Sequence, residues 1–221
     1  MILERYVRDF LAGYEEQLFH GKWNYTGGCV LTGAKYMYEA TGDPFYLQVI
    51  DDFARRYVDE NGTIFGFDPE EHNVDLMCSG RVLYGLLDRT GEARFRNGIE
   101  IIMENMRNQP RTKENNFWHK LIYPNQVWLD GLYMAQPFYV EYESRFGTRE
   151  GFKDTLSQFK NVRKYLFDEN KKLYYHGYDE SRSVYWADPV TGLSKSFWLR
   201  SIGWLLMAFV DCYELMDCSK A

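Results

Sequence analysis

The chain has 221 residues, enough to bury a sizeable core, and is expected to form one domain spanning 1–221. Its 26 basic and 32 acidic residues leave a net charge of −6, and no basic tract occurs that would neutralise phosphates, which excludes nucleic acid as a partner. No segment approaches the roughly 18 uninterrupted apolar residues of a membrane span. The N-terminus, Met1–Asp9, carries charges where a signal peptide needs an apolar run, so a cytoplasmic location is expected.

Helical periodicity dominates from the start of the chain. Leu3, Val7, Phe10, Leu11 and Tyr14 recur at three- and four-residue intervals, as do Phe45, Val49, Phe53 and Tyr57, and later Phe152, Leu156, Phe159 and Val162. The spacing predicts about eight helices, at 2–18, 27–40, 44–60, 75–89, 92–108, 128–145, 149–166 and 198–216. Strand-like alternation is confined to short pieces such as Lys172–His176. Gly42, Gly91 and Gly147 each stand where a helix needs a left-handed cap before the next helix begins. They lie 49 and 56 residues apart, the period of a repeat of two helices and a long return loop. Two of those loops resemble one another, Asp59–Phe65 and Asp168–Tyr174. The first helix of each pair opens with small residues (Gly27-Gly28-Cys29, Cys78-Ser79-Gly80, Asp130-Gly131, Ser201-Ile202-Gly203), as tightly packed inner helices require. The expected fold class is all-α, a toroid of helical hairpins with the more charged helices outside. Pro137 disfavours helical geometry at Gln136, which predicts Asp130 on a short turn before the main helix or above a kink, at the toroid's rim.

The polar residues gather on the loops before the inner helices. They are Trp23, Asn24 and Tyr25; His72, Asn73 and Asp75; Trp118 and His119; Trp128 and Asp130; His176 and Tyr178; Trp198 and Arg200. Three of the four histidines belong to this set. Aromatic content is 18%, which suits either stacked sugar rings or a large helical core. Trp198 and Trp204, at helical spacing, read first as core. Val127–Ala135 sets Asp130 among large apolar side chains beside Gly131. Two readings of Asp130 stay open, a helix N-cap and a proton donor whose pKa is raised by poor solvation. Asp75 and Asp130 stand at corresponding positions of successive inner helices, a carboxylate pair able to divide acid and base roles. Arg200 is suited to clamping a substrate carboxylate. The four cysteines (Cys29, Cys78, Cys212 and Cys218) are dispersed, without paired zinc-ligand spacing, and read as reduced thiols. No metal or cofactor is expected, and neither a phosphate-binding glycine loop nor a nucleophile elbow occurs.

Taken in order, His72-Asn73-Val74-Asp75, Trp118-His119, Trp128-Leu129-Asp130-Gly131-Leu132-Tyr133-Met134, Tyr175-His176-Gly177-Tyr178-Asp179 and Phe197–Trp204 resemble motifs of the unsaturated rhamnogalacturonyl hydrolases, glycoside hydrolase family 105. The related unsaturated glucuronyl hydrolases share the (α/α)6 barrel and are the nearest alternative. The resemblance implies an (α/α)6 barrel, of which this chain carries about eight of about twelve helices and lacks the C-terminal third. It also implies possible self-association through exposed barrel edges. It makes Asp130 the general acid and base, with Asp75 positioning substrate and water. His119, His176, Arg200, Trp204, Trp128 and Tyr25 become the lining of a subsite for an unsaturated uronic acid. The implied reaction is hydration of the C4=C5 double bond of a terminal unsaturated galacturonic acid, removing it from rhamnogalacturonan fragments in pectin breakdown. The implied partner is an unsaturated uronyl oligosaccharide. Two other readings stay open, another α/α-barrel sugar enzyme such as an epimerase and a catalytically dead truncated sugar-binding module.

Overall fold

The computed structural model describes residues 2–19 and 21–216. They form helices α1 (Ile2–Gly13), α2 (Glu15–Phe19), α3 (Tyr25–Thr41), α4 (Pro44–Tyr57), α5 (Arg81–Thr90) and α6 (Ala93–Arg107). Strand β1 (Gln126–Trp128) leads into α7 (Leu129–Arg145) and α8 (Gly151–Leu166). Strands β2 (Phe167–Asp168), β3 (Leu173–Tyr174) and β4 (Gly177–Asp179) precede α9 (Leu199–Met216). Most helices fall where hydrophobic periodicity places them, but the one expected at 2–18 is divided at Tyr14 into α1 and α2. Backbone contacts divide the chain into two compact units, Met1–Asp68 with Leu76–Ile102, and Pro69–Asp75 with Met103–Ala221.

In the first unit, Asn24 caps α3 by accepting from the backbone N–H groups of Thr26 and Gly27. Asp43 caps α4 in the same way, with Pro44 opening the helix. Gly42 and Gly91 take left-handed conformations (φ 69° and 66°) and close α3 and α5, as expected. The helix predicted at 75–89 begins only at Arg81, after short 3-10 turns at Val74–Leu76 and Cys78–Gly80. The cause is tertiary. The Leu76 carbonyl accepts from Trp23 Nε1 at 2.7 Å, and Ser79 Oγ donates to the Asn24 carbonyl. A side chain at Gly28 would come within 2.7 Å of the Ser79 backbone nitrogen, so the small residues at this crossing do permit close packing. Trp23 is buried and stacked on Phe53, which makes it a core residue and not a loop platform. Tyr25, the first residue of α3, is half-buried in this unit.

In the second unit α7 is the central element, buried on nearly every side and packed against α8 and α9. It is helical on both sides of Pro137. Proline inside a helix costs about 3 kcal/mol, and burial of Leu132–Phe138 between neighbours offsets it. Thr155 of α8 donates to the side-chain oxygen of Gln136 at 2.8 Å, satisfying a buried amide beside the proline. Gly147 corrects a second expectation, since its φ is not positive and the left-handed residue here is Arg149. A Cβ at 147 would meet the Glu143 carboxylate at 2.5 Å, so that side chain would have to move aside. The two return loops do match. Val58 bridges Ile64, and Phe167 pairs with Tyr174. Asp59 and Asp168 each accept backbone N–H groups two residues on.

Residues Leu206, Met207, Val210 and Tyr213 of α9 are exposed. Cys29, Cys78 and Cys212 are thiols and not disulfide partners; Cys218 and the chain end at 217–221 lie outside the described residues. Among the described residues no helix is long and apolar enough to cross a membrane.

Candidate active site

The site is assembled by a small web of backbone hydrogen bonds in the second unit. Strands β1 and β4 pair antiparallel, setting Trp128 opposite Gly177. The Leu129 N–H then donates to the His176 carbonyl at 3.1 Å, so the start of α7 is tied to the residue before β4. The His119 N–H donates to the Gln126 carbonyl at 2.9 Å, and the Val74 N–H donates to the His119 carbonyl at 3.1 Å. Three segments distant in sequence, around 74, 119 and 176, are thereby fixed against the first turn of α7. Ser194 joins them by donating its N–H to the Gly177 carbonyl.

Asp130 is the second residue of α7. It is not the N-cap, a position held by Trp128 without any side-chain capping bond, so the capping explanation falls away. Nor does it lie on a turn before the helix, because the helix begins at Leu129. Its side chain is almost wholly buried (6% exposed), and Oδ2 has no hydrogen-bond partner among the described residues. Oδ1 faces Arg200 NH2 at 3.5 Å. Burial raises the Asp130 pKa above the usual carboxylate value, opposed by its own backbone N–H and by Arg200 and helped by the charge of Asp75.

Asp75 sits on the 3-10 turn before α5, not at a position equivalent to Asp130, because its helix starts six residues later. It is nevertheless near enough to act on Asp130 electrostatically. Its carboxylate is held by Lys120 Nζ at 2.7 Å and faces His119 Nε2 at 3.4 Å. His119 is buried, and desolvation pushes its pKa down to about 4 against the opposing pull of Asp75. Its Nδ1 has no hydrogen-bond partner among the described residues. A Cβ on Gly131 would stand 2.9 Å from that nitrogen, so only glycine lets α7 pass so close to the imidazole.

Aromatic rings connect these groups. His119 and Tyr123 both lie parallel to Trp128, with centroids 4.5 Å and 5.1 Å away. His176 leans on Trp128 at 5.5 Å and meets the edge of Trp198 at 5.3 Å. The Arg200 guanidinium lies 3.8 Å above the Trp198 ring. Trp198 is exposed, which corrects its reading as core. Trp204 is half-buried and tilted against Tyr133 of α7 at 4.9 Å. Burial and the Arg200 charge lower the His176 pKa. A cleft of 790 Å³ opens where Trp128 and His176 meet Tyr123, Trp186 and Lys195. Among the described residues no group of three or more His, Cys, Asp or Glu is arranged to hold a metal ion.

Comparison with known proteins agrees with this arrangement. The family model described as Glycosyl Hydrolase Family 88 matches residues 3–221. The chain belongs to this family. The unsaturated rhamnogalacturonyl hydrolase YesR of Bacillus subtilis is 24% identical over 201 residues, covering 88% of this chain and 54% of its own. The 24.9 kDa protein in the picA locus of Rhizobium radiobacter is 42% identical over 88 residues, covering 40% of this chain and 37% of its own. A solved glycoside hydrolase from family 105 of C. acetobutylicum ATCC 824 is 40% identical, with a TM-score of 0.91 over 96% of this chain and 58% of that one. The chain thus spans about half the length of the relatives it matches most fully. Its resemblance to the family 105 unsaturated rhamnogalacturonyl hydrolases holds, and its hairpins are those of the family's (α/α)6 barrel.

The structure brings together Asp75, His119, Trp128, Asp130, His176 and Arg200 of the residues expected at the site, and sets Trp204 on the helix packed against α7. His72 is explained by structure, since its carbonyl accepts from Gln109 Nε2 while its backbone takes a positive φ. Tyr178 is a buried strand residue stacked with Tyr165. Sequence reasoning passed over Lys120, Tyr123 and Trp186. Lys120 directly follows the Trp118-His119 motif, and a basic residue beside a buried carboxylate site was the signal available.

Proposed function

We propose that the chain carries the reactive centre of an unsaturated rhamnogalacturonyl hydrolase. That enzyme removes a terminal 4,5-unsaturated galacturonic acid from rhamnogalacturonan-derived oligosaccharides. The observation that carries the proposal is Asp130. It is a buried carboxyl with a raised pKa and an unpartnered oxygen, and an exposed guanidinium lies 3.5 Å from its other oxygen. A carboxyl whose pKa is raised by burial is better suited than an ordinary one to hold a proton for donation to an alkene.

In the proposed reaction Arg200 pairs with the substrate carboxylate and orients the C4=C5 bond against Asp130. Asp130 transfers its proton to C4, and positive charge develops at C5 beside the ring oxygen. Water adds at C5 and gives its proton to the Asp130 carboxylate, which restores the acid. The product is a hemiketal that opens and expels the remaining sugar. Asp75, fixed by Lys120 and facing His119, positions the water and the sugar hydroxyls. The parallel rings of His119 and Trp128, with His176 and Trp204, supply a wall for the uronic acid ring.

The test is incubation of the protein with an unsaturated galacturonyl–rhamnose disaccharide, following the ultraviolet absorbance of the conjugated enoate. Absorbance falls with wild-type protein, and Asp130→Asn lowers the rate by about 10²–10⁴, the usual contribution of a positioned acid. Retention of most activity in Asp130→Asn refutes the assignment.

A further inference from the structure

The residues that hold Asp130 in place do not account for the cleft beside them. Its volume, 790 Å³, lies within the range of about 300–1,000 Å³ typical of sites for ligands of drug size. Asp130 does not itself line the cleft, but two of its lining residues do adjoin the Asp130 centre: Trp128 lies two residues before Asp130, and the His176 carbonyl accepts from the Leu129 N–H. The opposite wall comes from the segment 184–196, shaped by the fully buried carboxylate of Asp179. Asp179 accepts from the backbone N–H groups of Ser181, Ser183 and Val184 and from the Ser181 hydroxyl. The bridge between Ala187 and Ser194 closes the segment on itself. The hydrogen-bonded loop sets the half-buried Trp186 beside His176 and the exposed Tyr185 next to it at the rim of the cavity, a built surface on which a ligand can rest.

The chemistry of the lining narrows the ligand. Tyr185 and Trp186 supply rings against which pyranose rings can stack by their C–H surfaces, beside the stacked pair Tyr123 and Trp128. Lys195 carries the single formal charge among the described lining residues, since His176 has a lowered pKa. Its ammonium has no hydrogen-bonded carboxylate among the described residues. A positive group in an aromatic cleft, on a chain of net charge −6, selects for an anion.

We propose that this cleft seats the saturated sugars beyond the bond being broken, and that Lys195 pairs with a uronate carboxylate there. The preferred substrates are then acidic oligosaccharides longer than a disaccharide. This rests on Asp130 marking the reactive end, and the test separates the two.

Binding of a saturated tetrasaccharide of alternating galacturonate and rhamnose is measured by calorimetry, beside the same tetrasaccharide with its carboxyls reduced to alcohols. Wild-type protein binds the acidic probe about tenfold more tightly than the reduced one. Lys195→Gln binds both equally, and Trp186→Ala weakens both by about tenfold. The inference is overturned if the acidic probe does not bind saturably, or if Lys195→Gln weakens the two probes alike. Loss of enoate absorbance reports separately on Asp130. Turnover of unsaturated disaccharide without binding of the saturated probe sinks the cleft alone. Probe binding that responds to Lys195, with no turnover, sustains the cleft and sinks the Asp130 reading.

Discussion

The buried imidazole of His119 makes stability depend on pH in a direction that can be stated in advance. Its folded pKa is about 4, against 6.5 for an unperturbed histidine, a gap of about 2.5 pH units. The unfolded chain takes up the proton first, so His119 contributes fully above about pH 6.5. That contribution falls as pH drops and is exhausted near pH 4. At about 1.36 kcal/mol per pH unit, the stability at stake is about 3 kcal/mol. Asp130 acts with the opposite sign, because a raised carboxyl pKa makes the folded state hold its proton longer, and stability from it is lost as pH rises. The two are separated by comparing wild-type protein with His119→Gln in urea unfolding between pH 4 and 7. The variant is less stable at pH 7, and the difference narrows by about 3 kcal/mol toward pH 4. The His119 ring-proton NMR resonance supplies a direct check, remaining in its neutral position through pH 5. A resonance that titrates near pH 6.5, or an unfolding difference constant across the range, refutes the burial argument.

Gly131→Ala puts a methyl group 2.9 Å from His119 Nδ1 where the imidazole has no room to retreat from Trp128. A loss of about 1–3 kcal/mol in thermal or urea unfolding is expected, with a fall in kcat as Asp75 is displaced. Arg200→Gln removes a charge that favours the Asp130 anion. The alkaline limb of kcat/KM therefore moves to higher pH, while KM for the unsaturated disaccharide rises about 10- to 100-fold through loss of a charge-assisted contact. A limb that moves down refutes the pairing. Thr155→Val keeps the shape of a fully buried side chain but leaves the Gln136 oxygen unpaired beside Pro137, costing about 1–3 kcal/mol with the disaccharide's KM unchanged.

Most of the helical plan was legible because it rests on local signals. Apolar spacing fixed the helices to within a few residues, and Gly42 and Gly91 marked true left-handed caps. The misreadings share a cause, which is that long-range partners outweighed local preference. Trp23 claims the carbonyl of Leu76 and delays α5, and α7, packed against α8 and α9, stays helical through Pro137. Gly42 and Gly91 take the left-handed conformation that their caps need, whereas at the third position Arg149 takes it in place of Gly147. Strands β1 and β4 left no trace in the alternation pattern, being three residues each and paired across fifty positions. At the site, the residue types were readable and their grouping was not. Asp75 and His119 meet because one backbone bond joins Val74 to the His119 carbonyl, a contact no spacing rule encodes.

That grouping bears on how one carboxyl's pKa can be raised inside a site proposed to bind an anionic sugar. The first turn of α7 and the Arg200 guanidinium both favour the Asp130 carboxylate, yet burial outweighs them. The margin depends on where the opposing charges lie. Asp75, paired with Lys120 at 2.7 Å, adds to the rise at Asp130 through its charge. Arg200, by contrast, is more than half exposed and stands at the end of a stack on Trp198, free to meet a ligand. In the proposed reaction, a substrate carboxylate paired with Arg200 would neutralise the guanidinium's pull on Asp130 as water is displaced from the pocket. Both changes would strengthen the hold of Asp130 on its proton until the alkene accepts it. On that reading Asp130 is most fully protonated when the site is occupied, and the exposed arginine links occupation to protonation.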